Sequence, residues 1–138
     1  MTIEITPQNC IFHLLAKASR AGARHWKSEV SDLGITAVQG KVLIFLHTHG
    51  EVTASELSEL IALDSATLTG LIDRLVAMDL VARHTKVDDR RAVLIRLTDN
   101  GQELSETVYK RMLPANEKFL HDFSDAEAAM LKDMLKRL

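Results

Sequence analysis

Apolar residues recur three and four positions apart over most of the chain, and polar capping residues divide that pattern into successive helices. Thr6-Pro7 reads as a helix start, with Thr as the cap and Pro at the first helical position. Ile11, Leu14, Leu15, Ala18 and Gly22 form its apolar stripe, which runs to about Val30 before Ser31-Asp32-Leu33-Gly34 ends it. Thr36 and Gln39 make a capping box for a second helix, in which Val38, Val42, Leu43, Phe45 and Leu46 are apolar and which Gly50 breaks. Thr53 and Glu56 repeat the box for a short helix with Leu57, Leu60 and Ile61, and Asp64 caps the next, whose stripe is Leu68, Leu71, Ile72 and Leu75. The period then changes. Leu80-Val81-Ala82-Arg83 and Ala92-Val93-Leu94-Ile95-Arg96-Leu97 read as two strands around a charged turn at 84–91. A long helix follows from Thr98-Asp-Asn-Gly101, with Leu104, Val108, Met112, Phe119 and Leu120 as its stripe and Pro114 inside it, where a kink or break is expected. Ser124 and Glu127 cap the last helix, whose seam of Leu131, Met134, Leu135 and Leu138 reaches the C-terminus.

Two helices joined by as few residues as separate Ile61 from Asp64 must cross steeply, which is the helix-turn-helix arrangement. The second carries a polar face of Ser65, Thr67, Thr69, Gly70, Asp73 and Arg74. Hydroxyls and a glycine near a helix N-terminus suit close approach to a phosphate backbone. The hairpin that follows is a wing, and its turn bears Lys86, Arg90 and Arg91, cations that a narrow minor groove attracts. The fold class is therefore mainly α with a small β-hairpin wing: a winged helix-turn-helix region over 36–98, with helical dimerisation arms over 6–32 and 99–138. A terminal seam as continuous as that of the last helix does not fold alone. Its expected cover is the first and long fifth helices of a second copy, and a two-fold dimer would read paired half-sites of a pseudo-palindrome in double-stranded DNA.

Composition sharpens this picture in three places. At 138 residues, with 46% hydrophobic and 26% charged residues, the chain has room for one domain with arms and not for a second, catalytic one. Its net charge is −2, yet Ser65 to Arg96 holds six Lys or Arg against four Asp, so the positive field is local to the recognition helix and wing. The single cysteine, Cys10, permits no disulfide within the chain. With no membrane-length apolar run and no secretory signal, a cytoplasmic location is expected. Enzyme signatures are missing: His47-Thr-His49 lacks the three- or four-residue spacing of a helical metal site, and there is no phosphate loop or serine nucleophile motif. No metal and no cofactor are expected.

The stretch from Leu57 to Gly101 resembles the winged-helix domain of the MarR family of bacterial transcription regulators. The resemblance rests on Asp64-Ser-Ala-Thr-Leu-Thr-Gly-Leu-Ile-Asp-Arg-Leu75 and Asp89-Arg-Arg-Ala-Val-Leu-Ile-Arg-Leu-Thr98, and the layout is similar over nearly the whole chain. It implies that Asp89 orients Arg91 into the minor groove, with Arg90 as a neighbouring phosphate contact. Where family members often have Gly this chain has Asp79, which must then tolerate a left-handed conformation. The resemblance also implies an effector: aromatic carboxylates, phenols or acyl-CoA thioesters bound between the arms and the winged domain, or peroxide sensed by a first-helix cysteine. For an organic anion the candidate residues are His13, Arg20, Arg24 and His25, with Trp26 as a stacking surface. For redox sensing the candidate is Cys10, although the hydroperoxide-sensing branch has its cysteine at the position of Phe12 and its partner tyrosines at Ala37 and Gly40. The expectation is a repressor released by a small aromatic or acyl-CoA-like anion. The alternatives are a cysteine-based peroxide-sensing repressor of the same fold, and a winged helix used for protein contacts only.

Overall fold

The computed structural model describes residues 4–88 and 92–138. Its helices are α1 (Ile11–Val30), α2 (Ala37–His49), α3 (Ala54–Ile61), α4 (Ser65–Ala77), α5 (Asp99–Phe119) and α6 (Asp125–Lys136). Its strands are β1 (Val52–Thr53), β2 (Val81–Thr85) and β3 (Val93–Leu97). Chain contacts divide these into a winged unit, Val30–Arg111, and a helical unit formed by Met1–Glu29 with Met112–Leu138.

In the winged unit the three strands form an antiparallel sheet in the order β1-β3-β2, with Val52 opposite Ile95, Val81 opposite Leu97 and Thr85 opposite Val93. The two-residue strand β1 was not foreseen, because so short a segment has no period to read. The core is Val42, Leu43, Leu46, Leu57, Ile61, Leu68, Ile72, Leu75, Val81 and Ile95, all buried. Two positions assigned to apolar stripes, Val38 and Leu60, are instead exposed.

Capping fixes where these helices start. Thr36 accepts from the Gln39 N–H at 3.2 Å while Gln39 accepts from the Thr36 N–H at 2.9 Å. Thr53 and Glu56 reproduce the exchange at 3.1 and 2.9 Å. Each pair satisfies two donors that a helix start leaves without partners. At the other end of α3, Ala62 adopts φ 57°, a left-handed conformation unfavourable for a residue with a Cβ. The turn is held by Leu63 N–H donating to Ser58 O at 3.2 Å and by the Ser58 hydroxyl donating to Leu63 O.

Asp79 also takes a left-handed conformation, φ 58°, as its place in the turn after α4 requires. The start of α5 secures it: Thr98 Oγ1 donates to Asp79 O at 2.6 Å, and Asn100 Nδ2 donates to Asp79 Oδ2 at 2.7 Å. Gly101 is required at this junction because an added Cβ would lie 1.8 Å from the Leu80 carbonyl oxygen.

In the helical unit, Thr6 makes no side-chain cap. Pro7–Asn9 form a single 3-10 turn, Cys10 is extended, and α1 begins only at Ile11. His25 Nε2 lies 3.2 Å from Ala115 O, and its ring stands 5.3 Å from that of Phe119. Pro114 does not break α5, which runs unbroken to Phe119. Pro114 has no N–H to donate to the Lys110 carbonyl, and both residues are exposed. Ser124 and Glu127 cap α6 reciprocally at 3.2 and 2.9 Å, as expected. No residue of α6 is fully buried: Met130, Met134, Leu135 and the following Leu138 are all exposed. Among the described residues no helix is long and apolar enough to cross a membrane.

Candidate nucleic-acid interface

Helix α4 owes its start to Asp64. The Asp64 carboxylate accepts from Thr67 N–H at 2.8 Å and from Thr67 Oγ1 at 2.7 Å, and these bonds hold its pKa below the ordinary carboxylate value. The Thr67 hydroxyl, assigned from sequence to the DNA face, is thus engaged in the cap. Thr69 Oγ1 donates to Ser65 O at 2.8 Å. Each hydroxyl oxygen keeps a lone pair, and each threonine keeps a methyl that suits thymine. Ser65, Thr67, Thr69, Gly70 and Arg74 are all exposed on α4. A Cβ at Gly70 would meet nothing within 4 Å, so another backbone has room to approach there. Arg74 has no ion-pair partner among the described residues.

Asp73 is different. Its carboxylate pairs with Arg83 of β2 at 2.6 Å, and Arg83 Nη2 lies 3.5 Å from Thr69 O. Arg83 therefore cancels an acidic group on the recognition face and links that helix to the wing. Sequence reasoning missed it, because the pairing spans two elements. Lys86 is exposed just beyond β2, and its N–H donates to Ala92 O at 3.1 Å, extending the hairpin by one step. Asp89, Arg90 and Arg91, assigned to the wing tip, lie outside the described residues.

The five candidate anion-binding residues do not form one cluster. His13, Arg20 and Arg24 share a shallow groove of about 510 Å³ with Lys17. His25 and Trp26 line a separate hollow of about 120 Å³ with Gly22 and Phe119. A cleft of about 640 Å³ also opens beside α4, with Ser65, Thr69 and Arg83 as polar lining and Leu68, Ile72 and Ile95 as apolar lining. Its walls come from α3, α4, β2 and β3, too far apart in sequence for a motif to reveal. The histidines considered for metal binding have other roles: His47 Nδ1 lies 3.1 Å from the buried Ser105 hydroxyl, and His49 Nδ1 lies 3.0 Å from Phe45 O. Cys10, half-buried, precedes α1.

The family model for the MarR family matches residues 35–93, from the approach to α2 to the first residue of β3. The multiple antibiotic resistance protein MarR of Salmonella typhimurium is 31% identical over 110 residues, covering 79% of this chain and 76% of the relative. The chain belongs to the MarR family. The organic hydroperoxide resistance transcriptional regulator of Bacillus subtilis is 34% identical over 99 residues, covering 72% of this MarR-family chain and 67% of that regulator. Among solved structures, an Escherichia coli MarR mutant complexed with operator DNA has a TM-score of 0.86 at 28% identity, covering 92% of this chain and 91% of that one. Bordetella bronchiseptica BpsR, described for the regulation of its DNA binding by 6-hydroxynicotinic acid, has a TM-score of 0.89 at 27% identity, covering 97% and 96%. As a MarR-family member the chain is a winged-helix, DNA-binding transcription regulator and not an enzyme.

Proposed function

We propose that this regulator is a homodimeric repressor that occupies two half-sites of a pseudo-palindromic operator and leaves it when a small organic anion binds. The observation that carries this reading is the face of α4: an open approach at Gly70, an exposed Arg74 with no ion-pair partner among the described residues, and an acidic neighbour, Asp73, already neutralised by Arg83. That face enters a major groove, and Lys86, Arg90 and Arg91 follow the adjacent backbone and minor groove. Half-site reading needs a second recognition helix, and the exposed apolar residues of α6 supply a surface for the second copy. The organic effector is supported by the likeness to BpsR, whose DNA binding is regulated by 6-hydroxynicotinic acid.

A gel-shift titration at fixed salt tests the DNA reading. Arg91→Ala should lose about 1 to 3 kcal/mol of operator affinity, whereas Lys86→Ala should weaken all sequences alike and reduce the salt slope by about 1. Unchanged affinity in both variants would remove the wing from DNA recognition.

A peroxide response is the second reading, favoured by the likeness to the hydroperoxide regulator. Against it, Phe12 stands where that branch has its cysteine and is 79% exposed, and Ala37 and Gly40 supply no hydroxyl partners. Without those hydroxyl partners to support a thiolate, a slow reaction with peroxide is expected. Wild type and Cys10→Ser should therefore both stay on operator DNA through modest peroxide exposure. Rapid release of the wild type alone would return the chain to peroxide sensing.

A further inference from the structure

His13, Lys17, Arg20 and Arg24 follow one another at intervals of four, three and four residues, which places them within about 60° of one another around α1. Lys27 continues the line, and Ala16, Ala21 and Ala23 flank it with small side chains that leave the cationic groups open to approach. The apolar stripe of Ile11, Leu15, Ala18 and Gly22 lies on the opposite side of the helix, the side on which Gly22 and His25 meet Phe119 and Ala115. Glu29 is the only acidic residue of α1, and it is engaged by His25 at 3.4 Å and Lys118 at 3.7 Å. Among the described residues His13, Lys17, Arg20 and Arg24 have no ion-pair partner. Like charges three and four residues apart oppose helix formation, so this line is relieved by an anion lying along it.

We propose that the cationic line is the effector's docking surface and that the effector is a multiply charged phosphate ester, not a lone aromatic carboxylate. This rests on the effector reading above and names its ligand class. Among the described residues the groove is lined by four nitrogen-bearing side chains and no residue with a six-membered aromatic ring, while Trp26 and Phe119 border a different hollow. His25, also a candidate for the anion, is turned to Ala115 O. Stacking and anion capture are therefore not available in one place. An exposed single ion pair gains little, because water screens it. Useful affinity at such a surface needs several charge-assisted bonds at once, and phosphate oxygens spread along Lys17, Arg20 and Arg24 supply them, with bidentate geometry at each guanidinium.

The test is calorimetric titration of the full chain at about 0.15 M salt with inorganic triphosphate, orthophosphate and benzoate. Triphosphate should bind at least about tenfold more tightly than either other anion, and the double variant Arg20→Gln, Arg24→Gln should lose about tenfold or more of that affinity. Lys132→Gln, a cation on α6, should bind triphosphate like the wild type. Benzoate binding more tightly than triphosphate and weakening in Arg20→Gln would overturn the phosphate inference and leave the organic-anion effector standing. Equal loss of triphosphate binding in Lys132→Gln would reduce the effect to net charge and overturn the site. A fall in operator affinity of the double variant with no triphosphate present would assign the line to DNA instead. If no anion binds and none releases the operator, both readings fail.

Discussion

In the winged unit Leu43, Leu57, Ile61, Ile72, Leu75 and Ile95 keep no more than 1% of their surface exposed, while in the helical unit Ala115 is the only fully buried residue among those described. The apolar side chains of the helical unit are as numerous as its helices demand, but Ile11, Phe12, Leu14, Leu113, Met130 and Leu135 remain open to solvent. Burying one such side chain fully is worth about 1.5 to 3 kcal/mol, so a unit that leaves several exposed has further stabilisation to gain. One unit carries its own core and presents polar groups to DNA. The other leaves an amphipathic surface exposed, which the second copy of the proposed dimer would cover, coupling its folding to its symmetry.

Removing α6 tests that contrast most severely. Truncation before Ser124 should abolish the dimer and leave monomers or aggregates, read as mass by light scattering, and operator affinity should fall with it. A well-behaved dimeric truncation would show that the second copy docks elsewhere. A smaller pair of effects comes from matched leucines. Leu75→Ala, in the winged core, should cost about 2 to 5 kcal/mol in chemical denaturation whatever the protein concentration. Leu135, 50% exposed in the single chain, should show a loss on replacement by Ala that grows as the protein is diluted, because the missing contact belongs to the association. Identical concentration dependence for the two variants would erase the distinction between the units.

The same contrast decides how much could be read in advance. Local chemistry was legible wherever it stays local: the boxes at Thr36, Thr53 and Ser124 and the cap at Asp64 form as their spacing demands, and Asp79 takes the left-handed turn. The failures are of another kind. Thr6 does not cap, because a 3-10 turn intervenes before α1, and Pro114 does not break α5, which continues past the one hydrogen bond that the missing N–H removes. At the interface, the α4 face was legible from its own sequence, but the Arg83–Asp73 pair was not, since it depends on where the hairpin returns. The candidate anion residues are divided for a reason of geometry: they are neighbours along the helix, but its turn sends His25 and Trp26 to a different hollow from Arg20 and Arg24.

The smallest effect expected is a response to acid from two carboxylates of the winged unit. Asp64 is held below the ordinary carboxylate pKa by the Thr67 N–H and hydroxyl, and Asp32 is held below it by the Arg111 guanidinium, which donates to both carboxylate oxygens at 2.6 and 3.0 Å. A group whose folded pKa is depressed contributes stability above its unfolded pKa, about 3.9 for Asp, and loses that contribution as the pH falls through the folded value. Both groups are exposed, so each contribution is small. The melting temperature should therefore drop between about pH 5 and about pH 2, and part of the drop should vanish in Asp64→Asn, because asparagine still caps the helix but has no carboxylate to protonate. An acid response of unchanged size in Asp64→Asn would show that the charge on Asp64 adds nothing to the cap. The start of the recognition helix would then rest on hydrogen-bond geometry alone.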